Sequence, residues 1–279
     1  MDPIEKFHLA LSSPVHVGAK NREAWVGLFH PDGFVEDPVE AGRYQGTKKI
    51  ETFWDVFIGP QPSVAFDVKR DFWAGDTLIR QTTVVNITQA HPSRELQVPA
   101  LICYTLREDR VGSLQAVWEP RKIIAWFWGL GCKGVWALTR HGVRMTAKAG
   151  LGNAMSFGGT LWGSLRRDQA EGLVQAIRSD DPEQWEAFRG AEIRVGGEED
   201  LQTWSSDPVG ALEHLQSLSG PLSRMELEQL VICGHHAGAF LVDPSGEGAV
   251  AILMRTEGSG QVASMTMLWS SRPRVLTLQ

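Results

Sequence analysis

The segment Val35-Glu36-Asp37-Pro38 sets a carboxylate pair directly behind an apolar step and closes it with proline. Along an extended chain alternate side chains share a face, so Asp37 follows Val35 inward and Glu36 points toward solvent. The residue before a proline is biased to extended geometry, which fixes the direction of the Asp37 side chain. A carboxylate enclosed by apolar groups is desolvated and becomes a stronger base. The competing expectation for an Asp-Pro corner is a brace that accepts hydrogen bonds from the loop's own N–H groups.

Other reactive side chains are less patterned. Cys103, Cys132 and Cys233 are few, odd in number and far apart. They fit neither a disulfide framework nor a metal knuckle, and point to a reducing, cytoplasmic location. The pair His235-His236 lies in the run "CGHHAGAF" with no patterned Cys or acid nearby, so a hairpin turn is expected there and no metal site. The first residues lack a basic start followed by an apolar run, and no signal peptide is expected.

These groups must be positioned by the surrounding elements. The chain has 279 residues, 43% hydrophobic and 22% charged, enough for one large globular domain or two ordinary ones. Helices are expected over about 3–12, 19–29 and 46–58, with a short strand at 34–37. Strands rich in Val, Ile, Thr and aromatics follow at about 64–74, 77–88, 96–107 and 111–119. The same order recurs from about 167: two helices, a short strand at 191–195, a helix from Asp207-Pro208, then four strands. The closing strands even read alike, Ser113–Trp118 against Ser264–Trp269. Two copies of one α+β fold are predicted, each a curved antiparallel sheet wrapped on helices. The expected domains are 1–120, a connector at 121–166, and 167–279.

Residues 19–119 resemble the cone-shaped NTF2-like superfamily, in its ketosteroid isomerase and SnoaL-like polyketide cyclase branch. The matching pieces are Val35-Glu36-Asp37-Pro38, Gly46 opening the third helix, Phe53-Trp54 within it, and the closing Gln115-Ala116-Val117-Trp118. The resemblance implies that Asp37 is a general base moving a proton beside a carbonyl, and implies no cofactor. The rest of the family's network departs. Its oxyanion tyrosine falls near Ser13, its two supporting tyrosines at Phe29 and Trp54, and its protonated acid at Leu101 or Ile102. Tyr104, on the same strand face as the missing acid, is the replacement donor; its alternative is a ring packed in the sheet with its hydroxyl at the surface. Phe29, Trp54, Leu114 and Trp118 are expected to line the pocket. In the second half Val195 or Gly196 stands where Asp37 would be, so that copy is expected to be non-catalytic.

Between 121 and 167 lie eight Lys/Arg and no Asp or Glu, which leaves 19 basic and 33 acidic residues elsewhere, a net charge of −14. Four of the eleven tryptophans, at 126, 128, 136 and 162, share this stretch. Wound as a helix, 133–149 gathers Lys133, Arg140, His141, Arg144 and Lys148 on one face and Val135, Trp136, Leu138, Val143 and Met145 on another. Two readings stay open. The apolar face packs on a cone as a connector or lid, or the helix lies on an anionic membrane through Trp136, Arg140, Arg144 and Lys148. Nucleic acid is not an expected partner, since the rest of the chain repels phosphate.

The function expected is isomerisation or cyclisation of an apolar, carbonyl-bearing polycyclic or polyketide molecule. A non-catalytic carrier or scaffold, held at a membrane through the middle segment, is the rival from another class. Epoxide opening is a further alternative and needs Asp67 or Asp71 to pair with Asp37. The two copies pair within one chain, or two chains pair as a homodimer.

Overall fold

The computed structural model describes residues 2–277 apart from 163–164, 180, 199, 206 and 259. The first copy opens with helices α1 (Pro3–Lys6), α2 (His8–Gly18) and α3 (Arg22–Gly27), followed by strand β1 (Phe29–Glu36). A two-residue strand β2 (Tyr44–Gln45) leads into α4 (Thr47–Phe53), which continues as one π-helical turn through Ile58. Strands β3 (Ser63–Ala74), β4 (Thr77–Thr88), β5 (His91–Arg107) and β6 (Arg110–Trp118) complete a sheet of order β2-β1-β6-β5-β4-β3. The third expected helix is therefore in place, but the second stops at Gly27 rather than 29. Phe29 already belongs to a strand, and Pro31-Asp32-Gly33 sits in a register shift between Phe29 and Phe34.

The second copy repeats this wiring. After α7 (Arg167–Arg178) and a 3₁₀ segment (Pro182–Phe188) come β7 (Glu192–Gly196), β8 (Leu201–Ser205) and α8 (Pro208–Ser219). Strands β9 (Glu226–Cys233), β10 (His236–Val242), β11 (Ala249–Thr256) and β12 (Val262–Ser270) then give the order β8-β7-β12-β11-β10-β9, element for element the same. In both copies the short strand runs parallel to the last one: Glu36 faces Gln115, and Arg194 faces Thr266.

The two sheets pack back to back. Phe72, Ile79, Leu101, Cys103 and Val117 of the first meet Val231, Cys233, Phe240, Ala251 and Leu268 of the second. The rings of Phe72 and Phe240 stack at 5.9 Å. Polar links frame this seam. Glu40 receives the His235 backbone N–H at 2.9 Å and contacts Nδ1 of His235 at 3.1 Å and of His236 at 3.0 Å. Burial would raise the Glu40 carboxyl, but the hydrogen bonds from His236 and His235 outweigh it and hold it down at about 2. His235 thus lies in the hairpin turn, as expected, and His236 opens β10, with Glu40 as their shared partner.

The chain end also returns to the first copy. The Asp71 N–H donates to the Arg274 carbonyl, Leu276 N–H donates to Asp71 Oδ2 at 2.8 Å, and Leu276 joins the first hydrophobic core. Arg80 closes the cluster with two bonds to Asp71, at 2.7 and 3.1 Å, with both side chains buried.

Between the copies, α5 (Pro120–Trp128) and α6 (Cys132–Thr160) fold back on each other. Gly134 permits the close crossing, since a Cβ there would lie 1.8 Å from the Phe127 carbonyl oxygen. Gly150, at φ +86°, breaks α6 into two segments. Among the described residues no helix is long and apolar enough to cross a membrane.

Candidate active site

The concave side of the first sheet encloses a cavity of about 270 Å³. Its walls come from alternate residues of the strands, as the two-residue period demands. Val84, Asn86 and Thr88 of β4 point in, as do Val98, Ala100, Ile102 and Tyr104 of β5, and Leu114, Ala116 and Trp118 of β6. Phe53, Phe57 and Ile58 close one side. Ile123, Ile124 and Phe127 of α5, with Ala137, Leu138, His141 and Phe157 of α6, cover the opening. The middle segment is therefore a lid.

Asp37 lies on the cavity wall, partly accessible, and Trp118 Nε1 donates to its Oδ1 at 2.5 Å. Burial pushes the Asp37 carboxyl up to about 6, against the opposing pull of the indole N–H. The carboxylate that braces the loop is its neighbour. Glu36 accepts from Glu40 N at 3.2 Å and from Gln115 Nε2 at 3.1 Å, with its side chain largely covered. The expectation that Glu36 would be solvated is corrected accordingly: the chain doubles back after Pro38 and brings the Glu40 N–H over Glu36.

Tyr104 is buried, lines the cavity and shares a hydrogen bond with Ser13. Ser13 Oγ in turn accepts from Trp25 Nε1 at 2.9 Å. Burial raises the Tyr104 hydroxyl above its ordinary value, with the buried Arg80 guanidinium acting in the opposite direction. Sequence reasoning marked Ser13 only as a place where a tyrosine was lacking, and missed Trp25 altogether. A serine in mid-helix on the buried side of α2 was the available signal.

Of the four residues expected to line the pocket, Leu114 and Trp118 do so. Phe29 and Trp54 do not: both are buried behind Trp25, at ring distances of 4.9 and 5.5 Å, and belong to the core. Trp25 and Phe53 present the aromatic surface to the cavity instead. Of the acids considered as partners of Asp37, Asp67 is exposed and Asp71 is occupied by Arg80 and Leu276.

The lid also differs from its expected orientation. Arg140, His141 and Arg144 line the cavity mouth, and Lys148 pairs with Asp55 at 3.4 Å. Trp136 touches the mouth yet remains 61% exposed, and Val135, Val143, Leu151 and Met155 face outward. The packed face takes residues from both expected faces, Leu138 and Met145 from the apolar one and His141 and Arg144 from the basic one. The reason is the row Gly134, Leu138, His141, Met145 and Ala149, whose spacing of three to four residues fits the cone's rim.

In the second copy Val195 pairs with Met267 as Asp37 follows Glu36 beside Gln115, so the acid's place holds a buried valine. Its concave face is filled by Leu173, Ile177, Trp185, Phe188, Leu212 and Met265, among others.

No curated protein matches the chain. Among solved structures it is similar to the Delta 5-3-ketosteroid isomerase from Mycobacterium sp., at 17% identity over 42% of this chain and 95% of that one, with a TM-score of 0.39. A Mycobacterium tuberculosis protein in complex with estradiol-17beta-hemisuccinate matches at 17% identity over 41% and 93%, TM-score 0.38. The epoxide hydrolase/cyclase-like enzyme SalBIII matches at 17% over 42% and 92%, TM-score 0.38. The family model of the SnoaL-like domain matches residues 14–113, the stretch that runs from α2 into β6 and carries Asp37 and Tyr104. Over residues 14–113 the chain is thus similar to the SnoaL-like domain family.

Proposed function

We propose that the first cone is a proton-transfer site for an apolar, carbonyl-bearing polycyclic or polyketide molecule, which it isomerises or cyclises. The observation that carries this reading is a single carboxylate among the described lining residues, Asp37, poised near neutrality on the cavity wall among Leu114, Ala116 and Ile102 and in the same cavity as the Tyr104 hydroxyl. Asp37 takes a proton from the carbon beside the carbonyl, and the electron pair moves onto the carbonyl oxygen. Tyr104, kept protonated by burial, donates a hydrogen bond to the developing oxyanion. Ser13 accepts from Trp25 and so has its own proton to spend on the Tyr104 oxygen, which leaves the tyrosine O–H for the substrate. Asp37 then returns its proton to another carbon, or a ring closes on the enolate. Leu114, Trp118, Trp25 and Phe53 supply the apolar contacts. An acid pair for epoxide opening has no support, because Asp71 is already doubly bound. The second copy serves as the packing partner of the first.

The test is native extraction of the purified protein with mass spectrometry, beside Asp37→Asn. A carbonyl compound recovered from the variant and its rearranged isomer from the wild type support the reading. The same compound from both would contradict it.

A second reading, membrane attachment of the lid, is favoured by one specific observation. Trp128, Val135, Trp136, Val143, Leu151, Met155 and Trp162 are all large, apolar and exposed, Trp162 at 84%, on a segment without a single acid. Such a face suits an anionic bilayer surface. Trp128 and Trp162 extend the expected contact set, and Lys148, tied to Asp55, leaves it. Flotation with phosphatidylserine vesicles is expected to fall for Trp128→Gln with Trp162→Gln; equal flotation, or none by the wild type, would count against it.

A further inference from the structure

The cavity described above has two unlike ends. Asp37 is the sole carboxylate among its described lining residues, at the level of Ala116, Ile102 and Arg80 in the strand register. Eight residues further along β4, at the mouth, the lining turns cationic and polar: Asn86, Thr88, Gln89, Arg140, His141 and Arg144. Arg144 has no carboxylate within ion-pair reach among the described residues. Arg140 makes one polar contact, to Gln89 Oε1 at 3.4 Å, and lies over the Trp136 ring at 5.2 Å. The nearby acid, Asp55, is engaged by Arg22 and Lys148. Thr88 is 4% exposed and its hydroxyl has no partner.

Two guanidiniums without a carboxylate partner stand at the rim of the cavity beside a buried hydroxyl that is costly unless a ligand completes it. We infer that the mouth binds an anionic group carried on the far end of the cone's ligand, with Arg140 and Arg144 as its charged contacts and Thr88 as a hydrogen-bond donor. The ligand class is an amphiphilic acid: an apolar body that reaches Asp37 and a carboxylate or comparable oxyanion left at the lid. The guanidinium fork suits such planar or branched oxyanions. Burial, together with the adjacent Arg144, lowers the His141 imidazole from its ordinary value, so the ring adds no charge of its own near neutrality. This inference rests on the cone being a small-molecule site, and it specifies what that molecule carries.

The probes are 8-anilino-1-naphthalenesulfonate and N-phenyl-1-naphthylamine, which share one ring body and differ in the sulfonate. Titrated by fluorescence, the Arg140→Gln/Arg144→Gln double variant is expected to lose roughly tenfold in affinity for the sulfonate and to hold the uncharged amine within about twofold. Thr88→Val, which keeps the shape of the wall, is expected to show a smaller loss with the same selectivity. Ala100→Trp fills the cavity and is expected to remove both probes. Equal losses for the two probes, no loss for either, or sulfonate binding that survives Ala100→Trp would each overturn the inference. Neither probe reacts, so failure of the proton-transfer reading leaves this result intact and is detected separately, by Asp37→Asn chemistry.

Discussion

Trp118 Nε1 and Asp37 Oδ1 are 2.5 Å apart, and this bond joins the last strand of the first sheet to the end of the first. It holds the carboxylate against the cavity wall and also restrains its basicity, since an N–H donor favours the charged form. Trp118→Phe keeps the ring and removes the donor. Its rate profile is expected to rise at a higher pH than that of the wild type, with the fold intact by circular dichroism. An unshifted profile would show that the bond does not tune the acid.

The base must be ionised to accept a proton. With the Asp37 carboxyl at about 6, kcat/KM is expected to climb tenfold per pH unit below that value and to level off above it. Asp37→Asn is expected to lose about 10²- to 10⁴-fold at pH 8.

Stability moves the opposite way. The folded-state pKa of Asp37 is raised from 3.8 to about 6, so its proton is held more tightly in the folded protein. That contribution is complete below about pH 4, falls as pH rises toward 6, and is gone above it. At pH 8 Asp37→Asn is therefore expected to be more stable than the wild type, by at most about 3 kcal/mol, and at pH 4 the two should melt together. Chemical denaturation at both pH values checks this.

Tyr104→Phe removes the oxyanion donor without opening a cavity. A loss of roughly 10²–10³ in kcat is expected, with KM little changed. Ser13→Ala is expected to cost less, because it frees the tyrosine rather than deleting it.

Asp71 and Arg80 form a buried bidentate pair that also anchors Leu276. Asp71→Asn leaves a guanidinium without its counter-charge and is expected to destabilise the protein by about 3–5 kcal/mol. Removing residues 271–279 exposes the same pair and is expected to lower the melting temperature in the same direction.

The sequence made some of this visible and hid the rest for identifiable reasons. Strand alternation is a local rule, so the inward aim of Asp37 could be read from spacing; that of Tyr104 needed the family resemblance, and the loss of the acid at Val195 or Gly196 needed the alignment of the two copies. The duplicated wiring could be read from element order. Phe29 and Trp54 were misplaced because a buried aromatic gives the same pattern whether it touches the cavity or stands one layer behind it. The orientation of the lid was missed because Val135, Trp136 and Val143 are left in the open, while the packed face mixes Gly134, Leu138, His141, Met145 and Ala149. The Glu40 contact with His235 and His236, and the return of Leu276 to Asp71, depend on how the copies meet, which no local pattern records.

The account turns on Asp37 working as a base inside the cone. The most direct measurement is hydrogen–deuterium exchange at the acidic carbon of 2-tetralone, a small ketone, followed by NMR in D₂O with wild type and Asp37→Asn. The wild type is expected to speed exchange about 10²-fold or more over buffer, rising through a pKa near 6, and the variant to return it to background. Exchange equally fast with both proteins, or no faster than buffer with the wild type, would contradict the account.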